Sequence, residues 1–151
     1  MADNELSVSS SIVVHAAPEV VFAVLADPRE HPVIDGSGSV RQEINGPERL
    51  QLGSRFGMRM RKSVGYRVTN RVVEFEKDRR IAWRNLLPAV WRYELEPAGE
   101  SATQVTETFD YSRMPLAARF GRTKVVRDNH RSIEATLERL KAHVEDVERT
   151  R

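Results

Sequence analysis

The chain has 151 residues, a formal net charge of +2 and no cysteine, which suits one domain over residues 1–151 and excludes disulfides and thiolate metal sites. The near-balanced charge excludes a polycation. The polar first residues lack the pattern of a secretory signal, and no apolar stretch approaches the roughly 18 residues of a membrane span, so we expect a cytoplasmic protein without membrane insertion.

The N-terminal part of the chain predicts one strand and two short helices. Residues 7–15 place apolar side chains at alternate positions, which is typical of a strand with one buried face. Pro18 suits the first turn of a helix, and Asp27 followed by Pro28 ends that helix. Residues 29–34 predict a second short helical turn.

The middle of the chain predicts six further strands. Their connections are short, which favours antiparallel pairing, because parallel pairs need long crossovers. The buried parity changes near Val72 and Val73, which predicts a β-bulge. The predicted strands are residues 40–45, 54–62, 65–76, 80–86, 89–96 and 103–111.

The C-terminal part predicts a helical turn at 115–120 and then one long helix over 123–147. Apolar residues recur at spacings of three and four, which places one stripe along the helix. This helix is long enough to cover the apolar face of the sheet. The stripe consists of Val126, His130, Ile133, Leu137, Leu140, Val144 and Val147.

Five segments carry a family resemblance. They are IVVHAAPEVVF at 12–22, LADP at 25–28, RRIAWR at 79–84, WRYELEP at 91–97 and TQVTETF at 103–109. With this element order, the chain resembles the START-like superfamily, also called SRPBCC or helix-grip, and within it the polyketide cyclase/dehydrase-like bacterial proteins. The tryptophan that often follows the first helix pair is absent, and His31 stands in that region.

The resemblance implies an α+β helix-grip fold. In that fold a curved seven-stranded antiparallel sheet wraps around the long C-terminal helix, and two short helices follow the first strand. It also implies an internal cavity, whereas in a plain sheet-on-helix domain the same inward side chains would simply fill a core. The candidate ligand-binding residues are Phe56, Met58, Met60, Trp83, Trp91, Tyr93, Glu107, Phe109, Asn129, His130, Ile133 and Leu137.

Glu107 and His130 are the candidate catalytic residues. Glu107 shares the inward parity of its strand, and burial would raise the pKa of its carboxyl and suit it to acid–base chemistry. A salt bridge to an inward arginine is the structural alternative. His130 lies on the helix stripe, where a hydrogen-bonded core histidine is the commoner role. With Asn129 it could instead anchor a ligand carbonyl or hydroxyl.

Three functions remain open from the residues and the resemblance. The first is binding or carrying a small hydrophobic or aromatic molecule that is lipid- or polyketide-like. The second is a cyclase or dehydratase acting on a polyketide-like substrate. The third is an interaction protein that uses the segment Arg49–Arg71, which holds seven basic residues and no acidic one.

For partners we expect a small hydrophobic ligand, with the oligomeric state either monomer or homodimer. We expect no cofactor and no metal, because the four histidines show no ligand spacing. We expect no nucleic acid, because the basic run Arg59–Lys62 lacks interleaved exposed aromatic residues.

Overall fold

The computed structural model describes residues 6–38, 40–61, 64–85, 88–114 and 122–151. The described residues form one antiparallel sheet of seven strands in the order β1-β7-β6-β5-β4-β3-β2. The turn predicted at 115–120 lies outside them. The strands are β1 (Ser7–Val14), β2 (Val40–Asn45), β3 (Arg55–Arg61), β4 (Gly65–Glu76), β5 (Arg80–Arg84), β6 (Val90–Pro97) and β7 (Thr103–Asp110).

Helices lie at the two ends of the chain. The first pair is α1 (Pro18–Leu25) and α2 (His31–Ile34), joined by a 3-10 turn over Pro28–Glu30. The Asp27 carboxylate accepts a hydrogen bond from the Arg29 backbone N–H at 3.0 Å and so fixes this connection. The long helix α3 spans Arg122–Arg149. These elements confirm the predicted helix-grip architecture, and where both are described their bounds differ from the predicted ones by at most two residues.

The predicted bulge lies in β4. Val72 pairs with Trp83 and Glu74 pairs with Ala82, so the register between β4 and β5 shifts by one residue. Such an extra residue increases the local twist and bends the strand. The bulge therefore contributes to the curvature of the sheet, whose inner face lies toward α3 and whose outer face lies on the opposite side.

The described side chains of α3 are buried along one stripe in the middle of the helix and exposed toward its C-terminal end. Ile133, Leu137 and Val144 are each at most 2% exposed, whereas Val147 is 39% exposed. His130 is also exposed, so the buried stripe is shorter than predicted. The 28 residues of α3 extend about 42 Å.

The loop after α2 lies directly against α3. A Cβ atom added at Gly36 would lie 2.4 Å from the Thr136 backbone nitrogen, so only glycine fits there without a shift. The Gly36 N–H donates to Thr136 Oγ1 at 2.9 Å, and Arg139 donates to the Asp35 carbonyl at 2.9 Å. This contact fixes α2, which begins at His31, relative to α3.

Candidate functional site

A tyrosine and a carboxyl group form the polar centre of the inner face. Tyr93 on β6 and Glu107 on β7 are register partners, and the Tyr93 hydroxyl donates to Glu107 Oε1 at 2.8 Å. Both residues are at most 4% exposed. The next inward pair along these strands is Trp91 with Phe109, so the carboxyl lies among apolar and aromatic side chains.

Glu107 is protonated at neutral pH. Burial raises the pKa of its carboxyl to about 8; the Tyr93 hydrogen bond opposes this rise, and the negative charge of Asp35 adds to it. Because Oε1 accepts from Tyr93, the proton lies on Oε2. Among the described residues, Oε2 is buried and has no hydrogen-bond partner. The site therefore holds a buried donor that nothing in the described protein satisfies.

His31 supplies a second buried polar atom. Its ring stacks on Trp83 with centroids 4.8 Å apart and meets Phe56 edge-on at 5.3 Å. Its Nε2 lies 2.9 Å from the Leu25 carbonyl oxygen. A carbonyl oxygen only accepts, so Nε2 carries the ring proton.

The second nitrogen of His31 is a hydrogen-bond acceptor. Burial lowers the pKa of the imidazole, although the Leu25 hydrogen bond and the charges of Asp27 and Asp35 oppose this shift. The ring is therefore neutral, and Nδ1 carries a lone pair. Nδ1 is buried without a hydrogen-bond partner in the described part of the chain.

These two unsatisfied atoms are linked by one aromatic cluster, which we define as His31, Phe56, Trp83 and Tyr93. The Trp83 and Tyr93 rings lie 5.5 Å apart, and Tyr93 contacts Glu107. An unsatisfied buried polar group costs about 1–3 kcal/mol, so each atom favours a partner such as an ordered water or a ligand group. One atom is a donor and the other is an acceptor.

The structure brings most of the predicted ligand-binding residues to the interior between the sheet and α3. Met60, Trp91 and Asn129 are half-buried. Their role in binding stays a prediction. The buried members are Phe56, Met58, Trp83, Tyr93, Glu107, Phe109, Ile133 and Leu137.

His130 does not join this group, and the expectation that it faces the interior is wrong. Its side chain is 46% exposed, and its Nε2 lies 3.5 Å from a carboxylate oxygen of Glu134 one turn further along α3. The apolar spacing includes His130, but spacing alone does not show whether another element covers this turn of the helix. Glu107 has Tyr93 as its partner, and no arginine pairs with it among the described residues, in contrast to the structural alternative.

His31 is not among the site residues predicted from the sequence. The sequence did contain a clue to this residue. The tryptophan that often follows the first helix pair is absent, and His31 stands in that region. In the structure His31 provides a ring that stacks on Trp83. Unlike tryptophan, which has only a donor, a neutral histidine also offers an acceptor nitrogen.

Two pockets open to the surface, and of the aromatic cluster only Phe56 lines the first of them. One of about 270 Å³ lies beside β3 and β4, and a shallow one of about 480 Å³ lies between α2 and the C-terminal part of α3. An internal cavity of roughly 300–1,000 Å³, the usual scale of a ligand site, stays a prediction. The described residues contain no group of three or more candidate metal ligands. None of the described helices is both long enough and apolar enough to cross a bilayer.

Comparison with known proteins shows the family to which the chain belongs. Residues 5–145 match the family model for polyketide cyclase / dehydrase and lipid transport. An uncharacterized protein of Mycobacterium tuberculosis H37Rv is 38% identical over 138 residues, which cover 88% of this chain and 62% of that protein. A counterpart in strain CDC 1551 is 37% identical with the same coverage. The chain thus spans 62% of the length of these curated relatives.

Solved structures share the fold. A START superfamily protein from Mycobacterium smegmatis matches with a TM-score of 0.73 and 15% identity, over 93% of this chain and 98% of that one. The ZhuI aromatase/cyclase from Streptomyces sp. R1128 matches with a TM-score of 0.65 and 17% identity, over 91% and 94% of the two chains. At these identities the likeness extends to the fold alone.

Proposed function

Because the chain belongs to the polyketide cyclase/dehydrase and lipid transport family, we propose that it binds a small, largely apolar molecule against the aromatic cluster. The carboxyl of Glu107 carries this proposal, since it is buried beside Tyr93 with one oxygen that has no partner. The ligand class is a lipid- or polyketide-like hydroxy-ketone. Its carbonyl accepts from Glu107 Oε2, and its hydroxyl donates to His31 Nδ1.

The chemistry of the two atoms supports this ligand class. A ligand with only acceptors would leave His31 unsatisfied, and a ligand with only donors would leave Glu107 unsatisfied. A buried polar group that loses its partner costs more than a matched bond contributes, so the pair discriminates between ligands of equal apolar area. The aromatic cluster supplies apolar contact for the body of the ligand, which contributes about 25 cal/mol per Å² removed from water.

A flat aromatic hydroxy-ketone tests the proposal. We expect acetylnaphthol to bind more tightly than either acetylnaphthalene, which lacks the hydroxyl, or naphthol, which lacks the carbonyl. Glu107→Leu should weaken acetylnaphthol at least about tenfold, equivalent to about 1.4 kcal/mol. Glu107→Gln should retain binding, because the amide N–H replaces the donor of the neutral carboxyl. Isothermal titration calorimetry measures all of these affinities.

A matched variant tests the role of His31 Nδ1. His31→Phe keeps a ring against Trp83 and removes both nitrogens, so it should remove the advantage of acetylnaphthol over acetylnaphthalene. Equal affinities for the three compounds, with no change in Glu107→Leu, would contradict the proposed site. Native mass spectrometry of the protein from its own host would then show whether any small molecule is retained.

The same two atoms support a second candidate, which is dehydration of a hydroxy-ketone. Neutral His31 can take a proton from the carbon next to the carbonyl, and protonated Glu107 can give a proton to the departing hydroxyl. Water leaves, and a carbon–carbon double bond forms. The observation that favours this candidate is a proton acceptor, His31, within the aromatic cluster and a proton donor, Glu107, in contact with Tyr93 of the same cluster.

One substitution separates binding from catalysis. Glu107→Gln keeps the hydrogen-bond donor but cannot supply a proton at neutral pH. If the site is catalytic, this variant binds a β-hydroxy-ketone and does not turn it over. If the site only binds, the wild type also leaves that compound unchanged, as read by the absorbance of the conjugated product.

A further inference from the structure

A buried asparagine lies on the inner face of β4. Asn70 is 4% exposed and shares the inward parity of Val68 and Val72. Thr69 and Arg71, on either side of it, are exposed. A third valine at this position would avoid the cost of taking an amide out of water. The strand therefore holds a polar side chain where its own pattern favours an apolar one.

Asn70 lies beside the aromatic cluster. Its register partner on β3 is Phe56, and the Phe56 ring meets His31 edge-on at 5.3 Å. The next inward residue along β4, Val72, pairs with Trp83. Register partners on antiparallel strands have Cβ atoms about 4.5–5.5 Å apart. A molecule that lies against the cluster is therefore close enough to contact the Asn70 side chain.

The Asn70 amide has hydrogen-bonding capacity that the described protein does not use. Within the described part of the chain, no side chain or backbone group forms a hydrogen bond with this amide. In contrast to Glu107 Oε2 and His31 Nδ1, the amide is also not fully enclosed by protein atoms, so it borders a space that water or a ligand can enter. An amide has two N–H donors and one carbonyl oxygen, so it can bind either a hydroxyl or a carbonyl.

The separation of Asn70 from Glu107 sets the length of a ligand that contacts both. Glu107 is on β7 and Asn70 is on β4, with β6 and β5 between them. Three strand spacings of about 4.8 Å place these two strands about 14 Å apart along the sheet. The inner-face side chains between them are aromatic or aliphatic, and they include Tyr93, Ile81 and Trp83. Such a surface suits a flat apolar body with polar groups at both ends.

We propose that Asn70 binds a second polar group at the far end of the ligand, which is therefore an elongated, flat hydroxy-ketone. This inference rests on the function proposed above and adds the length of the ligand to it. One end of the molecule contacts Glu107 and His31, and a hydroxyl or carbonyl at the other end bonds with the Asn70 amide. Acetylnaphthol satisfies Glu107 and His31 but has no third polar group for Asn70.

Chrysin and apigenin are the probes, because both are flat flavones with a hydroxyl beside the ketone, and apigenin has one further hydroxyl on its far phenyl ring. We expect the wild type to bind apigenin at least about fivefold more tightly than chrysin, which is the scale of one net hydrogen bond. Asn70→Leu should remove this preference and leave the affinity for acetylnaphthol unchanged. Thr69→Val is the matched control, because it removes a polar group from the opposite face, and it should bind all three compounds like the wild type.

Isothermal titration calorimetry measures these affinities and can overturn the role of Asn70. Equal affinities of the two flavones in the wild type, or a preference that survives in Asn70→Leu, would contradict it. Loss of acetylnaphthol binding in Asn70→Leu would also contradict it, because Asn70 would then support the cluster and not the ligand. If Asn70→Leu does not fold, as judged by circular dichroism, Asn70→Ser takes its place, since its shorter side chain does not extend to the ligand.

Glu107→Leu separates this inference from the function on which it rests. That variant should weaken both flavones and keep the preference for apigenin, because Asn70 is unchanged. If acetylnaphthol binds with dependence on Glu107 and neither flavone binds, the elongated ligand is contradicted and the proposed function stands. If none of the three compounds binds, both are contradicted.

Discussion

Glu107 and His31 show how the same apolar surroundings act on an acid and on a base. Burial raises the pKa of the Glu107 carboxyl and lowers the pKa of the His31 imidazole, because it disfavours the charged form of each. Both groups are therefore neutral around pH 7, and each keeps one buried polar atom without a protein partner in the described structure. Because both groups are neutral, Glu107 Oε2 is a hydrogen-bond donor and His31 Nδ1 is a hydrogen-bond acceptor.

These protonation states make stability depend on pH. Glu107 titrates near 4.5 in the unfolded chain and near 8 in the folded protein, so the folded state holds the extra proton between these values. The stability that Glu107 contributes is present below about pH 4.5 and is lost as the pH rises toward 8. His31 acts in the opposite sense: its contribution is present above 6.5 and is lost as the pH falls.

We therefore expect the free energy of unfolding to fall between pH 6.5 and 8 because of Glu107. The slope for one proton is about 1.4 kcal/mol per pH unit, so this loss is at most about 2 kcal/mol. Glu107→Gln should remove it, since the amide does not titrate. Urea denaturation across this pH range measures the effect. An identical slope in the wild type and in Glu107→Gln would show that Glu107 is ionised in the folded protein.

At the scale of elements, the position of His31 depends on how α2 meets α3. The loop after α2 approaches the backbone of α3 at Gly36, and a hydrogen bond to Thr136 and one from Arg139 hold it there. The partners of the Gly36–Thr136 bond are 100 residues apart in the chain. The inner-face site is thus assembled from the sheet and from a helix pair that a distant helix fixes in place.

Gly36→Ala tests this connection. The added Cβ would lie 2.4 Å from the Thr136 nitrogen and 2.6 Å from the Ala135 carbonyl carbon, so backbone atoms must move. We expect a loss of about 1–3 kcal/mol in the free energy of unfolding, as for other overpacked sites. Gly57→Ala is the matched control, because its Cβ finds no neighbour closer than 3.8 Å. Equal stability of the two variants in urea would mean that α2 is not held by this contact.

At the scale of the whole molecule, the fold was predictable and part of the site was not. Alternating apolar residues fix strand position and face, so β4, its bulge and the inward direction of Glu107 followed from the sequence. The burial of His31 did not follow, because it results from docking α2 on Trp83 and not from any local period. Periodicity also failed at His130, since the spacing of apolar residues does not show which turns of a helix another element covers.

The two tryptophans of the chain allow one measurement on the unmodified protein to test its proposed inner-face site. Trp83 and Trp91 pair with each other across β5 and β6 and are both on the inner face, and Trp83 stacks on His31. An inner-face ligand such as acetylnaphthol should therefore quench or shift tryptophan emission after correction for its own absorbance. Trp83→Phe should remove more of the acetylnaphthol response than Trp91→Phe, because Trp83 belongs to the aromatic cluster. Acetylnaphthol binding with unchanged emission would contradict the placement of the ligand on the inner face of the sheet.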